Sequence, residues 1–265
     1  MGDESVARIE RGPSGLEWFA YDGDMEVGEL SALVRPDKKC FAFLRPGQSS
    51  ADEQLLATAI EQTGHDLHTS LDEFNYLEIE WHTKLGFEIT GQESHYKIPV
   101  SAAAASLRGA VVPAGLRLIS AADADEGRLR LLDDALRQDV PGTDGWQWDA
   151  AGFHAETYDS GFFDPALYLV AVDQASGQYA GLVRVWHHPR MSRLGLVAVL
   201  APYRRRGLAR AMLGQVLGVL QDRGAAEVVA EIADTNTASL TLLTSLGARR
   251  TGGSVWLIRK RPAGA

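Results

Sequence analysis

The segment Arg204-Arg205-Arg206-Gly207-Leu208-Ala209-Arg210 has the residue types and spacing most suggestive of chemistry in this chain. An apolar run, Leu194 to Leu200, enters it through Ala201-Pro202-Tyr203, and apolar residues at helical spacing (Leu208, Met212, Val216, Val219, Leu220) leave it. Strand, tight turn and helix N-terminus make an anion site. The first N–H groups of a helix lack internal partners, the positive end of the helix dipole stands behind them, and Gly207 and Ala209 let phosphate oxygens approach the backbone. The arginines add charge. A solvated basic turn is the competing reading, and a P-loop is excluded because no Gly-Lys-Ser/Thr ending is present.

Elements that position this loop can be read on either side of it. Leu116–Ile119 reads as a strand, and Asp123 to Gln138 as a helix with Leu129, Leu132 and Leu136 on one face. A Gly-, Asp- and Trp-rich stretch from Val140 to Asp164 follows as loop and short helix. Leu167 to Asp173 and Ala180 to Trp186 form a hairpin around Ser176-Gly177. Beyond the loop, Glu227–Ala233 is a strand, Thr237 to Leu246 a helix stopped by Gly247, and Ser254 to Ile258 a last strand.

The chain has 265 residues, 45% of them hydrophobic and 23% charged, which suits a soluble globular protein of one large or, as expected here, two smaller domains. A formal net charge of -9 argues against nucleic-acid or membrane-surface binding, both of which use an excess of Lys and Arg. It suits a cationic or amine-bearing partner, although acidity also serves solubility. Cys40 is the single cysteine and lies in the apolar run Cys40-Phe41-Ala42-Phe43-Leu44, so it reads as a buried structural thiol in a reducing compartment. No apolar stretch of signal or membrane-spanning length occurs, and the expected location is the cytoplasm, as a monomer or homodimer, with no metal site.

Residues 101–114, four alanines followed by Gly109 and Pro113, read as a linker between residues 1–100 and 115–265; a short helix over the alanines is the alternative. The halves share a pattern. Asn75 through His82 to Leu85-Gly86 recurs 161 positions on as Asn236 through Leu243 to Leu246-Gly247, with Thr90-Gly91 and Thr251-Gly252 at the same offset. Gly28 and Gly181, and Pro36 and Pro189, are 153 apart, so the first copy is eight residues shorter (161 − 153) across the interval holding the arginine loop. A degenerate duplication accounts for this better than coincidence, and the first copy carries Arg45-Pro46-Gly47-Gln48-Ser49-Ser50 in place of the loop.

Arg204, Gly207 and Ala209 fill the three fixed positions of the pyrophosphate signature of the GNAT superfamily of acyl-CoA-dependent N-acetyltransferases, which this segment resembles. Val199-Leu200-Ala201-Pro202-Tyr203 is similar to that family's lead-in strand, and Asn236 to Ala248 to its second CoA-contacting segment. The resemblance covers Gly115 to Lys260. It implies an α+β fold, here two GNAT-like domains, each a mixed central sheet flanked by helices, the N-terminal one truncated and without a CoA loop. It also implies acetyl-CoA as co-substrate, held by Val197, Val199, Leu200, Arg204, Arg205, Arg206, Gly207, Leu208, Ala209, Arg210 and Asn236, with the strand from Val197 to Leu200 offering main chain to pantetheine and thioester.

Acyl transfer to an amine needs a base for the incoming ammonium and a proton or other stabilisation for the leaving thiolate. Glu231 is the candidate base; a solvent-facing strand residue is the alternative for it. His187 and His188 read as surface residues of a turn. The family's usual tyrosine acid is replaced by Leu243, so Ser245 or Tyr203 substitutes, or the thiolate leaves unaided, which a thiol pKa of about 8.5 permits. The acceptor is expected to be a small-molecule amine met by Asp139, Trp146, Trp148, Arg184 and Trp186, with Asp144 and Tyr158 nearby; local packing is the competing role for the tryptophans. A non-catalytic acyl-CoA-binding module stays open as a second reading.

Overall fold

A computed structural model describes residues 7–47, 49–187 and 191–262 of the chain. Gln48, His188 and Pro189 lie outside the described residues. The chain forms two compact units, residues 1–92 with 254–265, and residues 93–253. Neither boundary coincides with the expected division at 1–100, 101–114 and 115–265. Over residues 101–107 the alternative reading holds: Val100–Leu107 is a helix (α3), with Val100, Ala103, Ala104 and Leu107 buried, and only 108–115 run without regular structure to the next strand. Alanine's helix propensity decides the local conformation, and its small side chain lets α3 lie against helix α6 (Leu208–Asp222). A Cβ placed on Gly214 of α6 would stand 3.4 Å from Leu107 Cβ, as expected for a close helix pair.

The first unit has strands β1 (Arg8–Arg11), β2 (Glu17–Asp22), β3 (Met25–Val34), β4 (Cys40–Arg45) and β5 (Leu67–Asp72), with helices α1 (Ser49–Thr63) and α2 (Tyr76–Lys84). Its sheet order is β1-β2-β3-β4-β5-β12, the last place being taken by residues 254–259 of β12 (Arg249–Arg259). Trp18, Leu30, Leu55, Leu56, Leu67 and Leu257 fill the core beneath α1, and Cys40 is buried there with its pKa raised by burial.

The second unit opens with the end of β6 (Glu88–Pro99) and continues through α3, β7 (Leu116–Ser120), α4 (Glu126–Arg137) and α5 (Ala150–His154). Strands β8 (Tyr168–Asp173), β9 (Tyr179–Trp186), β10 (Ser192–Val199) and β11 (Glu227–Ala233) and helices α6 and α7 (Thr237–Thr244) complete it. Its sheet runs β6-β11-β10-β9-β8-β7. Strand alternation sends Val183, Val185 and Leu194 to a core under α3 and α6, and Tyr168, Val170, Leu182 and Leu196 to a second core under α4 and α5.

The two halves of the sequence repeat one plan, β2-β3-β4-α1-β5-α2-β6 against β8-β9-β10-α6-β11-α7-β12, although the last strand of each half completes the sheet of the other unit. Asn75 and Asn236 cap α2 and α7 with nearly the same dihedrals (φ −86, ψ 64 and φ −85, ψ 70) and accept from Glu78 N–H and Ser239 N–H. Gly86 and Gly247 follow with φ 82 and φ 79, the left-handed conformation that favours glycine. The first unit is the truncated copy, because a turn joins β1 to β2 where α4 and α5 stand between β7 and β8.

Candidate active site

The arginine loop lies where the sequence expects it, between β10 and α6. Residues 200–207 join these elements, whereas only 46–48 join β4 to α1. Arg205 (φ 63) and Gly207 (φ 85) are both left-handed and flank Arg206, so the backbone curls twice just before α6. Among non-glycine residues such a φ is uncommon. The first main-chain bond of α6 runs from Ala211 N–H to Gly207 O (3.0 Å), leaving the N–H groups of Leu208, Ala209 and Arg210 unclaimed by the helix. A Cβ on Gly207 would meet nothing within 4 Å, so the space beside its backbone is open. In the first unit, the corresponding helix meets its own N-terminus with Asp52, a buried carboxylate that accepts from Gly47 N–H at 3.4 Å.

The arginines divide the work. Arg204 is fixed, its Nε donating to Val199 O at 2.7 Å and its Nη2 bonding Asp139 Oδ2. Asp139, expected among the acceptor residues, is thus engaged with the arginine loop. Arg205 and Arg206 are exposed, Arg206 lying 5.9 Å from the Tyr203 ring centroid, and Arg210 reaches Ser245 Oγ at 3.2 Å.

Beside the loop, β10 and β11 separate. They run parallel but pair only at Ser192↔Val228 and Arg193↔Val229, while β10 continues to Val199 and β11 to Ala233. Leu200 N–H bonds Ala180 O on the β9 side (2.9 Å), so by strand alternation Val197 and Val199 direct their main-chain groups into the opening. Val199 O is taken by Arg204, leaving the Val199 N–H and both polar groups of Val197 for an added strand. A bulge at Gly195 bends β10 here: Leu194 faces Val185 and Leu196 faces Arg184, with Gly195 between. A Cβ on Gly195 would come within 2.7 Å of Trp186 Cζ3, so glycine is what admits the indole.

Glu231 lies on β11, two residues past the last paired rung, with its Oε2 ion-paired to Arg193 Nη2. The two hydroxyls are already engaged. Ser245 Oγ donates to Leu242 O at 2.6 Å while accepting from Arg210. Tyr203 is buried, and its hydroxyl bonds Asp173 Oδ2 (3.1 Å) and Gln178 Oε1 (3.3 Å) in the β8–β9 turn, with burial and the Asp173 carboxylate raising its pKa. Tyr203 thus braces the loop, away from the strand opening, and is a poor candidate acid. Leu243 is buried at 2% exposure, and Asn236 uses its side-chain oxygen as a helix cap.

The proposed acceptor residues gather on the α4–α5 face. Arg184 is buried, 4.7 Å from the Trp186 ring centroid and 5.6 Å from that of Tyr168. Trp146 and Trp148 meet edge to face at 5.2 Å; Arg137 covers Trp146 at 4.2 Å, and Trp148 Nε1 donates to Asp133 Oδ1 at 3.0 Å. Asp133, Arg137 and Tyr168 were missed by sequence reasoning. Asp133 and Arg137 had left a sign, a charged i,i+4 pair among Leu129, Leu132 and Leu136 on an otherwise apolar helix face. Among the described residues, no group of three or more His, Cys, Asp or Glu is placed to hold a metal, and no helix is long and apolar enough to cross a membrane.

A mixed sheet opened between two parallel strands belongs to the GNAT fold, and that fold occurs here in tandem, with the arginine loop in the second copy alone. Residues 131–248 match the acetyltransferase (GNAT) family. Among solved structures, a GCN5-related N-acetyltransferase from Sphaerobacter thermophilus aligns with 91% of this chain and 79% of its own, at 16% identity and a TM-score of 0.65. A tandem GNAT protein from the clavulanic acid biosynthesis pathway aligns over 96% of this chain and 83% of its own (15% identity, TM-score 0.63). A GCN5-related N-acetyltransferase from Kribbella flavida aligns over 90% and 88% (16% identity, TM-score 0.57). No curated protein matches the sequence. Family and fold support acyl transfer in general, and the family generally uses acyl-CoA.

Proposed function

We propose that the second unit is an N-acyltransferase that moves an acetyl or other short acyl group from acyl-CoA to the amine of a small molecule. The observation that carries this reading is the continuity of the β10–β11 opening with the loop of residues 204–210, two anchor sites for one extended, phosphate-ended ligand. When bound, acyl-CoA would supply an activated thioester. The N–H groups of Leu208, Ala209 and Arg210 and the exposed guanidinium groups of Arg205 and Arg206 would hold its pyrophosphate. Val197 would pair with the pantetheine as a neighbouring strand does, and the Val199 N–H would be available to the carbonyl oxygen as negative charge develops there.

Glu231 is the proposed base, acting at Oε1 or through a water. The thiolate leaves without a dedicated side-chain acid, since Leu243 has no proton to give and Tyr203 and Ser245 have theirs engaged. The first unit, with Asp52 at its helix N-terminus and only residues 46–48 in the connection, would serve as a partner fold that binds no CoA. Cytoplasmic residence is consistent with a single buried cysteine.

The buried Leu243 also favours a second reading, an acyl-CoA-binding module that performs no transfer. A screen of small primary amines with acetyl-CoA, followed by thiol release, separates the two. The transferase reading requires CoA release that depends on at least one amine; tight cofactor binding with no release across the panel would favour the binding module.

A further inference from the structure

Arg184 stands in the middle of β9 at 2% exposure, and its Nε and Nη1 have no hydrogen-bond partner. A buried guanidinium normally sits against a carboxylate, because taking the charge out of water is costly unless a partner compensates. The neighbouring arginines obey this. Arg130 lies 3.7 Å from Asp134, Arg137 is 2.6 Å from Asp133, and Arg193 pairs with Glu231. Arg184 pairs with no carboxylate among the described residues.

Two further buried groups on the same face are unsatisfied: the Tyr168 hydroxyl, whose ring lies 5.6 Å from the Arg184 guanidinium, and Asp133 Oδ2. Asp133 does not complete Arg184: its Oδ1 is taken by Arg137 Nε and Trp148 Nε1, and its Oδ2 makes no hydrogen bond. Two guanidinium groups thus face one carboxylate, and the cluster is one negative charge short. A turn of π-helix, Ala155–Asp159, borders the patch, a local distortion that is common at functional sites. Through Trp186 the cluster reaches the strand opening, because the indole lies between Arg184 at 4.7 Å and Arg193 at 5.2 Å, and Arg193 holds Glu231.

We propose that Arg184 and the Tyr168 hydroxyl form a carboxylate-binding subsite, so that the transfer reaction selects a partner bearing a carboxylate beside the reacting group. The inference rests on the acyltransferase reading and narrows its substrate class. Two sources of the carboxylate share this chemistry, an amino-acid-like acceptor and a dicarboxylic acyl chain on CoA. Either would give Arg184 its missing counter-charge and Tyr168 an acceptor, in a site where exclusion of water strengthens both bonds.

The test pairs each L-amino acid with its methyl ester as acceptor of acetyl-CoA, and offers the same esters with succinyl-CoA, following CoA release. A subsite for the acceptor gives kcat/KM at least about 30-fold higher for acids than for esters, carried by KM, and Arg184→Met reduces the preference to within about threefold. A subsite for the acyl chain shows the same dependence as a preference for succinyl-CoA over acetyl-CoA. Indifference to the carboxylate in both arms, or a preference retained in Arg184→Met, overturns the proposal. Melting temperature supplies a readout that does not need turnover. Without ligand, Arg184→Met should melt at or above the parent, because it removes an uncompensated charge; succinyl-CoA or the preferred amino acid in excess should raise the melting temperature of the parent alone. A variant that melts well below the parent would mean that Arg184 is satisfied within the core, and the proposal fails. If no amine is acylated, the transferase reading falls, while the melting arm still decides the subsite.

Discussion

Arg193 binds the carboxylate of Glu231 at the point where β10 and β11 part, Arg193↔Val229 being their last paired rung. The pair fixes the proposed base at the inner end of the opening into which Val197 and Val199 direct their main chain. Substituting Glu231→Gln preserves shape and removes the proton acceptor. Its expected effect is a fall in kcat of about 10²- to 10⁴-fold with acetyl-CoA affinity unchanged, measured by steady-state CoA release and calorimetry. An unaltered kcat would leave Glu231 a solvent-facing strand residue with no part in the chemistry.

Gly195 and Trp186 are a fitted pair. Because a Cβ at position 195 would overlap the indole at 2.7 Å, Gly195→Ala must displace Trp186 or β10. A stability loss of about 1–3 kcal/mol is expected by denaturant unfolding, together with an altered tryptophan emission. Since the indole bridges Arg184 and Arg193, transfer activity should fall as well.

Asp164 and Arg223 tie the loop before β8 to the end of α6. Burial pushes the Asp164 carboxyl up, but the Arg223 bond and the Ala166 N–H together hold it below its ordinary value. With the folded value depressed, the unfolded chain takes up the proton first as pH falls. The stabilisation is therefore complete above the ordinary carboxylate range and is lost as pH drops through the folded value. Asp164→Asn should cost about 1 kcal/mol or less at neutral pH, the pair being partly solvated, and the difference from the parent should shrink in acid. Denaturant midpoints measured from neutral to acid pH check it; a gap independent of pH would contradict the assignment.

A fragment beginning at residue 112 looks like a complete catalytic half in the sequence. In the structure, residues 93–99 of β6 pair with β11 from Pro99↔Glu227 to Glu93↔Ala233, and α3 buries Val100, Ala103 and Leu107 beside α6. The fragment should therefore be insoluble or molten, whereas one beginning near residue 93 should retain more structure; circular dichroism and proteolysis distinguish them.

That contrast shows what the sequence discloses. Strands β8 to β11 and helix α6 lie within a residue or two of their expected limits, because alternation, helical spacing and glycine stops are local signals. The duplication was legible for the same reason, as Asn75 and Asn236 perform one capping task in two places. Strand partners are a long-range choice. Nothing within residues 254–259 says that they complete the first sheet, nor within 93–99 that they begin the second. Small residues misled in a different way, since the alanines of α3 read as flexible although they are small for close packing. Within the site, the loop was visible as a motif, while the association of Arg184, Tyr168 and Asp133 arises only from folding β8, β9 and α4 together.

The claim on which the rest depends is that the loop of residues 204–210 and the adjoining strand opening hold acyl-CoA. Titration calorimetry with acetyl-CoA on the parent and on the double variant Arg206→Ala/Gly207→Val measures it directly, with circular dichroism to verify the fold. The parent should bind one equivalent per chain, and the variant, deprived of an exposed guanidinium and of the left-handed glycine, should bind at least about 100-fold more weakly. Equal affinity in a folded variant would contradict the account.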